Sequence, residues 1–152
     1  MKQDAPGGVE MPVFDEFTDK DAALNNALTL AFIGDTVFER FVRELAVKRI
    51  PGARVRKLHK VCSAAVNAGA QAKILDSLTG SLSETELSIV KRGRNSKPKS
   101  IPKNQSIEDY LKATGFEALI GYLELSGDDA RLLEILALCE PDVSAYIDAA
   151  DR

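Results

Sequence analysis

Two carboxylates stand where carboxylates are costly. In Leu30-Ala31-Phe32-Ile33-Gly34-Asp35-Thr36-Val37-Phe38 the charged group is Asp35, and in Thr114-Gly115-Phe116-Glu117-Ala118-Leu119-Ile120-Gly121-Tyr122 it is Glu117. A buried carboxylate is unfavourable unless it is paired, hydrogen-bonded or metal-bound. Each of these acids also has glycine neighbours, and a glycine inside a helix costs about 1 kcal/mol relative to alanine. Glycines at such places mark close approach of another backbone. Two glycine-softened helices, each with one buried acid, are therefore expected to cross and to present Asp35 and Glu117 to one point. Neighbouring carboxylates repel unless one is protonated or a cation lies between them. Mg²⁺ suits such a pair, because it keeps most of its waters and needs only one or two protein carboxylates. The competing account is a structural acid held by an arginine or capping a helix. Spacing alone leaves both open.

The elements that must position these acids read as helices throughout. From Leu28 to Val42 apolar residues cover all sides of a helical projection, which predicts a helix buried all round. Thr18 supplies its N-cap, and Ile50-Pro51-Gly52 breaks it after Lys48. An alanine-rich helix follows from Arg54 to Leu78, ended by Thr79-Gly80. Ser83-Glu84-Thr85-Glu86 is a capping box for the next. Arg92 to Gln105 has no apolar period and reads as a long basic loop, which favours a functional role. Ser106 caps the helix that carries Glu117, and Gly127-Asp128-Asp129 turns the chain into a last helix that Pro141 ends. Val143 to Ala149 adds a loose helical stretch. There is no convincing strand pair, so the fold class is all-α. The expected organisation is a flexible tail over 1–17, one domain over 18–140 and a C-terminal tail over 141–152.

With 152 residues the chain is long enough to bury a real core. It has no apolar run long enough to span a bilayer and no secretory h-region. Cys62 and Cys139 lack CxxC spacing and read as reduced thiols, which fits a cytoplasmic protein. The net charge is −3, but its distribution is uneven. Leu45 to Leu75 holds Lys48, Arg49, Arg54, Arg56, Lys57, Lys60 and Lys73 with no acid. Leu87 to Ile107 holds Lys91, Arg92, Arg94, Lys97, Lys99 and Lys103, again with no acid. Such segregation is the electrostatic footprint of a polyanion partner.

These residues carry a resemblance. Leu30-Ala31-Phe32-Ile33-Gly34-Asp35-Thr36-Val37-Phe38-Glu39 resembles the signature helix of the ribonuclease III family, and Phe116-Glu117-Ala118-Leu119-Ile120-Gly121-Tyr122-Leu123 resembles its second acidic motif. Leu58-His59-Lys60, Ala70-Gln71-Ala72, Arg92-Gly93-Arg94-Asn95 and Pro102-Lys103-Asn104 are similar to the Mini-ribonuclease III branch, which lacks a double-stranded-RNA-binding domain. The resemblance covers roughly Leu24 to Leu136. It implies an all-α homodimer with the signature helices at the subunit interface. It also implies Mg²⁺-dependent hydrolysis of double-stranded RNA to 5′-phosphate and 3′-hydroxyl ends, with large-subunit (23S) ribosomal RNA precursor as substrate. By position, Asp35 and Glu117 are then the catalytic metal ligands. Larger members carry two further carboxylates, where this chain has Ala31 and Thr114. Both positions lie on the faces of the retained acids, and the Thr114 hydroxyl is expected to orient a metal-bound water.

Without an appended RNA-binding domain, the grip on RNA falls to the catalytic domain. Arg92, Arg94, Asn95, Lys97, Lys99, Lys103 and Asn104 are the leading candidates, and Arg54, Arg56, Lys57, His59 and Lys60 form a second patch. A-form RNA is read by shape, through phosphates and 2′-hydroxyls. His59 lacks the neighbours of a general base and is assigned to the surface. Glu39 is expected to pair with Arg40 or Arg43, Glu124 to lie too far from Glu117 to share an ion, and the aromatic residues to pack in core or interface. A ribosomal protein that presents the substrate is a further partner compatible with this reading. The alternative is a non-catalytic ribonuclease III-like domain that binds ribosomal RNA or acts in ribosome assembly.

Overall fold

The computed structural model describes residue 17, residues 26–96, 100–101 and 103–152. The expected cap Thr18, the tail before it, Lys97 and Lys99 lie outside the described residues, with Phe17 the one exception. Six α-helices and one short 3-10 turn (Thr79–Ser81) form the chain's regular structure, with no strand among the described residues: α1 (Ala27–Arg49), α2 (Val55–Val66), α3 (Ala68–Leu78), α4 (Glu84–Arg94), α5 (Ile107–Leu125) and α6 (Asp129–Ala150).

Helix α5 is the axle. Its Ala113, Phe116, Ala118, Leu119, Ile120 and Leu123 are buried, and α1, α3 and α4 all pack against it. Phe116 meets Phe38 of α1 edge to face, with ring centroids 4.9 Å apart, a geometry favoured by the ring quadrupoles. Glycine brings the helices this close. A methyl group at Gly34 would overlap the Glu117 carbonyl oxygen, and one at Gly121 would overlap that of Leu30. On the other side, a methyl at Gly115 would stand 2.7 Å from the Val90 oxygen, and one at Gly93 would stand 2.7 Å from the Gly115 Cα.

Five expectations change. Helix α1 is capped by Asn26, whose Oδ1 accepts from the backbone N–H of Leu28 and Thr29 at 3.1 Å. It is not buried all round: Phe32 is 75% and Leu28 48% exposed. The alanine-rich helix breaks at Asn67, whose extended backbone (ψ 162°) ends α2 while its side chain caps α3 through Ala70 N–H. Basic Lys91, Arg92 and Arg94 form the last turn of α4 rather than a loop, because Gly93 seats that turn against α5. Helix α6 runs through Pro141 to Ala150. Proline removes one backbone donor, but it faces solvent, and burial of Val143 and Ile147 one turn apart holds the helix on the core.

One ion pair locks α4 to α6. Glu86, the reciprocal member of the capping box, accepts from Ser83 N–H at 2.8 Å and from Arg131 Nε and Nη2 at 2.8 and 2.9 Å. Arg131 also donates to the Ser81 carbonyl. The Arg131 guanidinium holds the Glu86 carboxyl below its usual range. Removing one partner of a buried pair leaves an uncompensated charge and costs roughly 3 kcal/mol. Arg131→Met is therefore expected to lower the urea midpoint clearly, and Glu86→Leu in the same chain to restore part of the loss. An unchanged midpoint in the single variant would show that the lock contributes nothing.

Candidate active site

The α1–α5 crossing sets the two acids side by side. Gly34, next to Asp35, touches the peptide of Glu117 itself, so the closest approach of the backbones is also the position of the acids. Both line one cleft of about 370 Å³, with Ala31, Thr114, Tyr110 and Asn67 among its walls. Asp35 is exposed at the rim and Glu117 is half-buried. Loss of water, then the charge of Asp35, push the Glu117 carboxyl up to about 8, while the Gln71 amide beside it acts in the opposite direction. Burial, then the charge of Glu39, also raise the Asp35 carboxyl.

No arginine neutralises the cleft pair among the described contacts. Glu39 pairs with Arg43 at 2.8 Å and Arg40 with Glu44 at 2.9 Å, both along the exposed side of α1. A half-buried carboxylate destabilised by a second one is the donor set that a hard divalent cation relieves. Among the described residues no group of three or more His, Cys, Asp or Glu converges. A cation here would have two protein carboxylates and would keep waters on its other positions. The Thr114 hydroxyl donates to the Tyr110 carbonyl at 3.0 Å, so toward the cleft it has lone pairs to offer a water. Ala31, 6% exposed, offers nothing polar.

The other predicted residues divide in two groups. Arg92 and Arg94 are exposed at the end of α4, Asn95 is its C-cap, and Lys103 and Asn104 are exposed in the turn before α5. Asn104 adopts a left-handed φ of 72°, which asparagine tolerates better than most residues. Gln105, next in the chain, lines the acid cleft, so this basic segment ends at the site. Arg54, Arg56, Lys57, His59 and Lys60 surround a separate concavity of about 700 Å³. Lys57 there is paired with Asp151 at 2.6 Å, and Arg49 with Asp148. Distant acids, Asp148 in the last turn of α6 and Asp151 just beyond it, thus neutralise two cations that look free in the sequence. The remote ends of α2 serve the two places, since Val66 and Asn67 line the acid cleft. Exposed Glu124 is absent from the cleft walls.

Gln71 and Asn67 had no assigned role from sequence. The available signal for Gln71 was an amide set between Ala70 and Ala72 in an otherwise small-residue helix; the helix break at Asn67 left none.

Comparison with known proteins agrees with this architecture. Residues 28–128 match the family model of the ribonuclease III domain. A Mini-ribonuclease 3 from Clostridium tetani is 44% identical over 124 residues, covering 82% of each chain. One from Brevibacillus brevis is 48% identical over 118 residues, covering 77% of this chain and 87% of that protein. The crystal structure of a Fusobacterium nucleatum protein superposes with a TM-score of 0.67 at 30% identity, covering 74% of this chain and 89% of that one. Among the described residues no helix is long and apolar enough to cross a membrane. With its all-helical fold and its match over both acidic segments, the chain belongs to the ribonuclease III family, beside the Mini-ribonuclease 3 proteins, and is an endoribonuclease.

Proposed function

We propose that the α1–α5 cleft is a Mg²⁺ site that hydrolyses phosphodiester bonds of double-stranded RNA, leaving 5′-phosphate and 3′-hydroxyl ends, in maturation of the large-subunit ribosomal RNA precursor in the cytoplasm. The observation that carries this reading is the meeting of Asp35 and Glu117 in one cleft, with no basic partner among the described ion pairs. Mg²⁺ held there lowers the pKa of a bound water and neutralises charge developing on the phosphate. The chain's own residues do the rest. Glu117 anchors from the inner wall, Asp35 closes the rim, and Thr114 accepts a hydrogen bond from a water between them. Arg92, Arg94 and Lys103 face solvent and meet phosphates of the duplex, with Arg54, Arg56, His59 and Lys60 as a second contact. The exposed Leu28 and Phe32 beside Asp35 support a homodimer that covers this strip, and light scattering at twice the chain mass is the expected result.

Incubation of a structured pre-ribosomal RNA fragment with Mg²⁺ or with EDTA tests the reaction. Cleavage is expected with Mg²⁺ alone, and is expected to disappear in Asp35→Ala. Tight binding without cleavage under every metal condition would support the alternative, a non-catalytic ribosomal-RNA-binding domain, which Ala31 and Thr114 favour by thinning the ligand set. Replacing Arg92 and Arg94 by alanine is expected to weaken RNA binding and to reduce the slope of log affinity against log salt by roughly 1 per residue. An unchanged slope would place the phosphate contacts elsewhere.

A further inference from the structure

Gln71 is a buried amide with half of its hydrogen-bonding capacity unused. It is 1% exposed, on the first turns of α3, just after Asn67 and Ala68 of the cleft wall. Its Nε2 donates to the Val66 carbonyl at 3.1 Å. A carbonyl only accepts, so the nitrogen end of the amide is fixed there. The second N–H of that nitrogen is left for Glu117, beside which the amide lies. The Oε1 atom is buried without a partner. An orphaned buried acceptor is costly, and Gln71 Oε1 is the one such atom of α3 among the described residues. We propose that Gln71 is a positioning residue: its amide, clamped by Val66, holds the Glu117 carboxylate in the orientation that binds the divalent cation.

The inference rests on the metal reading of the cleft and deepens it. With Ala31 and Thr114 in place of carboxylates, fewer first ligands fix the ion, so the orientation of Glu117 carries more of its affinity. Groups that orient a metal ligand typically change metal affinity 10–100-fold. Gln71→Met keeps length and volume and removes both polar functions; Gln71→Glu keeps the acceptor and removes the donor. Mn²⁺ binding to the full-length protein, followed by electron paramagnetic resonance in the absence of RNA, reads the site without turnover. Gln71→Met is expected to raise the Mn²⁺ dissociation constant at least tenfold, with cleavage at saturating Mg²⁺ largely recovered and the thermal midpoint little changed. Gln71→Glu, with a third charge facing Glu117, is expected not to restore the wild-type geometry of the Mn²⁺ signal. Wild-type Mn²⁺ affinity and signal in Gln71→Met, or in Gln71→Glu should the methionine variant fail to fold, would overturn the role of Gln71 and leave the metal site standing. Absence of Mn²⁺ binding in the wild type would overturn the metal site and this role with it.

Discussion

Gly34→Ala and Gly121→Ala are each expected to destroy the cooperative fold, or to lower its stability by about 3 kcal/mol or more. The added methyl has nowhere to go. At position 34 it meets the carbonyl of Glu117, and at position 121 the carbonyl of Leu30. Both obstacles are helix backbone, which cannot rotate aside as a side chain does. Relief requires α1 and α5 to separate, and separation opens the Phe38–Phe116 contact and the core around it. Overpacking of a tight core typically costs 1–3 kcal/mol, more where backbone must move. The two glycines share one contact, so the double variant should lose little beyond either single one. Gly80→Ala is the control, since nothing lies within 4 Å of its added methyl. Urea unfolding monitored by circular dichroism decides the matter. Wild-type midpoints for Gly34→Ala and Gly121→Ala would mean that the helices do not approach this closely.

The same crossing explains which parts of the molecule were legible in the sequence. Glycine and a lone acid in an apolar helix are local signals with a physical cost. Asp35, Gly34, Glu117 and Gly121 could therefore be read together, and the fold brings the glycines to one helix crossing and the acids to one cleft. Helix starts were legible where a serine caps with an acid three residues on: Ser83 with Glu86 and Ser106 with Asp109 are both as read, whereas the asparagine caps Asn26 and Asn67 were missed. Helix ends set by distant packing were not. Arg92 and Arg94 look like loop because their own stretch has no apolar period, yet Gly93 docks on Gly115 of another helix. Pro141 looks like a terminator because its cost is local, whereas the burial of Val143 and Ile147 that outweighs it is tertiary. Charge was legible as a pattern and not as availability. The partners of Arg49 and Lys57 lie about a hundred residues away at the C-terminal end of α6, and no spacing rule reaches that far. The exposed Phe32 reverses the expectation of a fully buried signature helix. Apolarity on every face is compatible with burial by a second subunit as well as by the chain's own core.

Glu117→Gln is expected to abolish cleavage and to make the metal-free protein more stable near pH 8. The two effects have one origin. In the unfolded chain this carboxyl titrates near 4.5, and in the cleft it is pushed up to about 8, chiefly by burial and then by Asp35. Between those values the folded state binds more protons than the unfolded state, so stability must fall as pH rises through this window. Below about 4.5 both states are protonated and the penalty is absent. A glutamine of the same shape carries no charge, so the thermal midpoint of the variant should lose this pH dependence and exceed that of the metal-free wild type at pH 8. Mg²⁺ reverses the comparison. A metal ligand must be deprotonated, so wild-type affinity for Mg²⁺ should strengthen as pH rises toward 8, and bound Mg²⁺ should restore the lost stability. The variant has only the Asp35 carboxylate left to offer and should gain little from the ion. Loss of one metal ligand removes several kcal/mol of transition-state stabilisation, or roughly 10³-fold in rate. Thermal midpoints from pH 5 to 8.5, with and without Mg²⁺, read the first effect, and single-turnover cleavage of duplex RNA reads the second. A variant that kept both the wild-type pH profile and the wild-type rate would mean that the charge penalty and the metal both belong to another part of the chain. Loss of activity with no change in the pH profile would separate them, leaving Glu117 a ligand whose charge is already relieved in the metal-free protein.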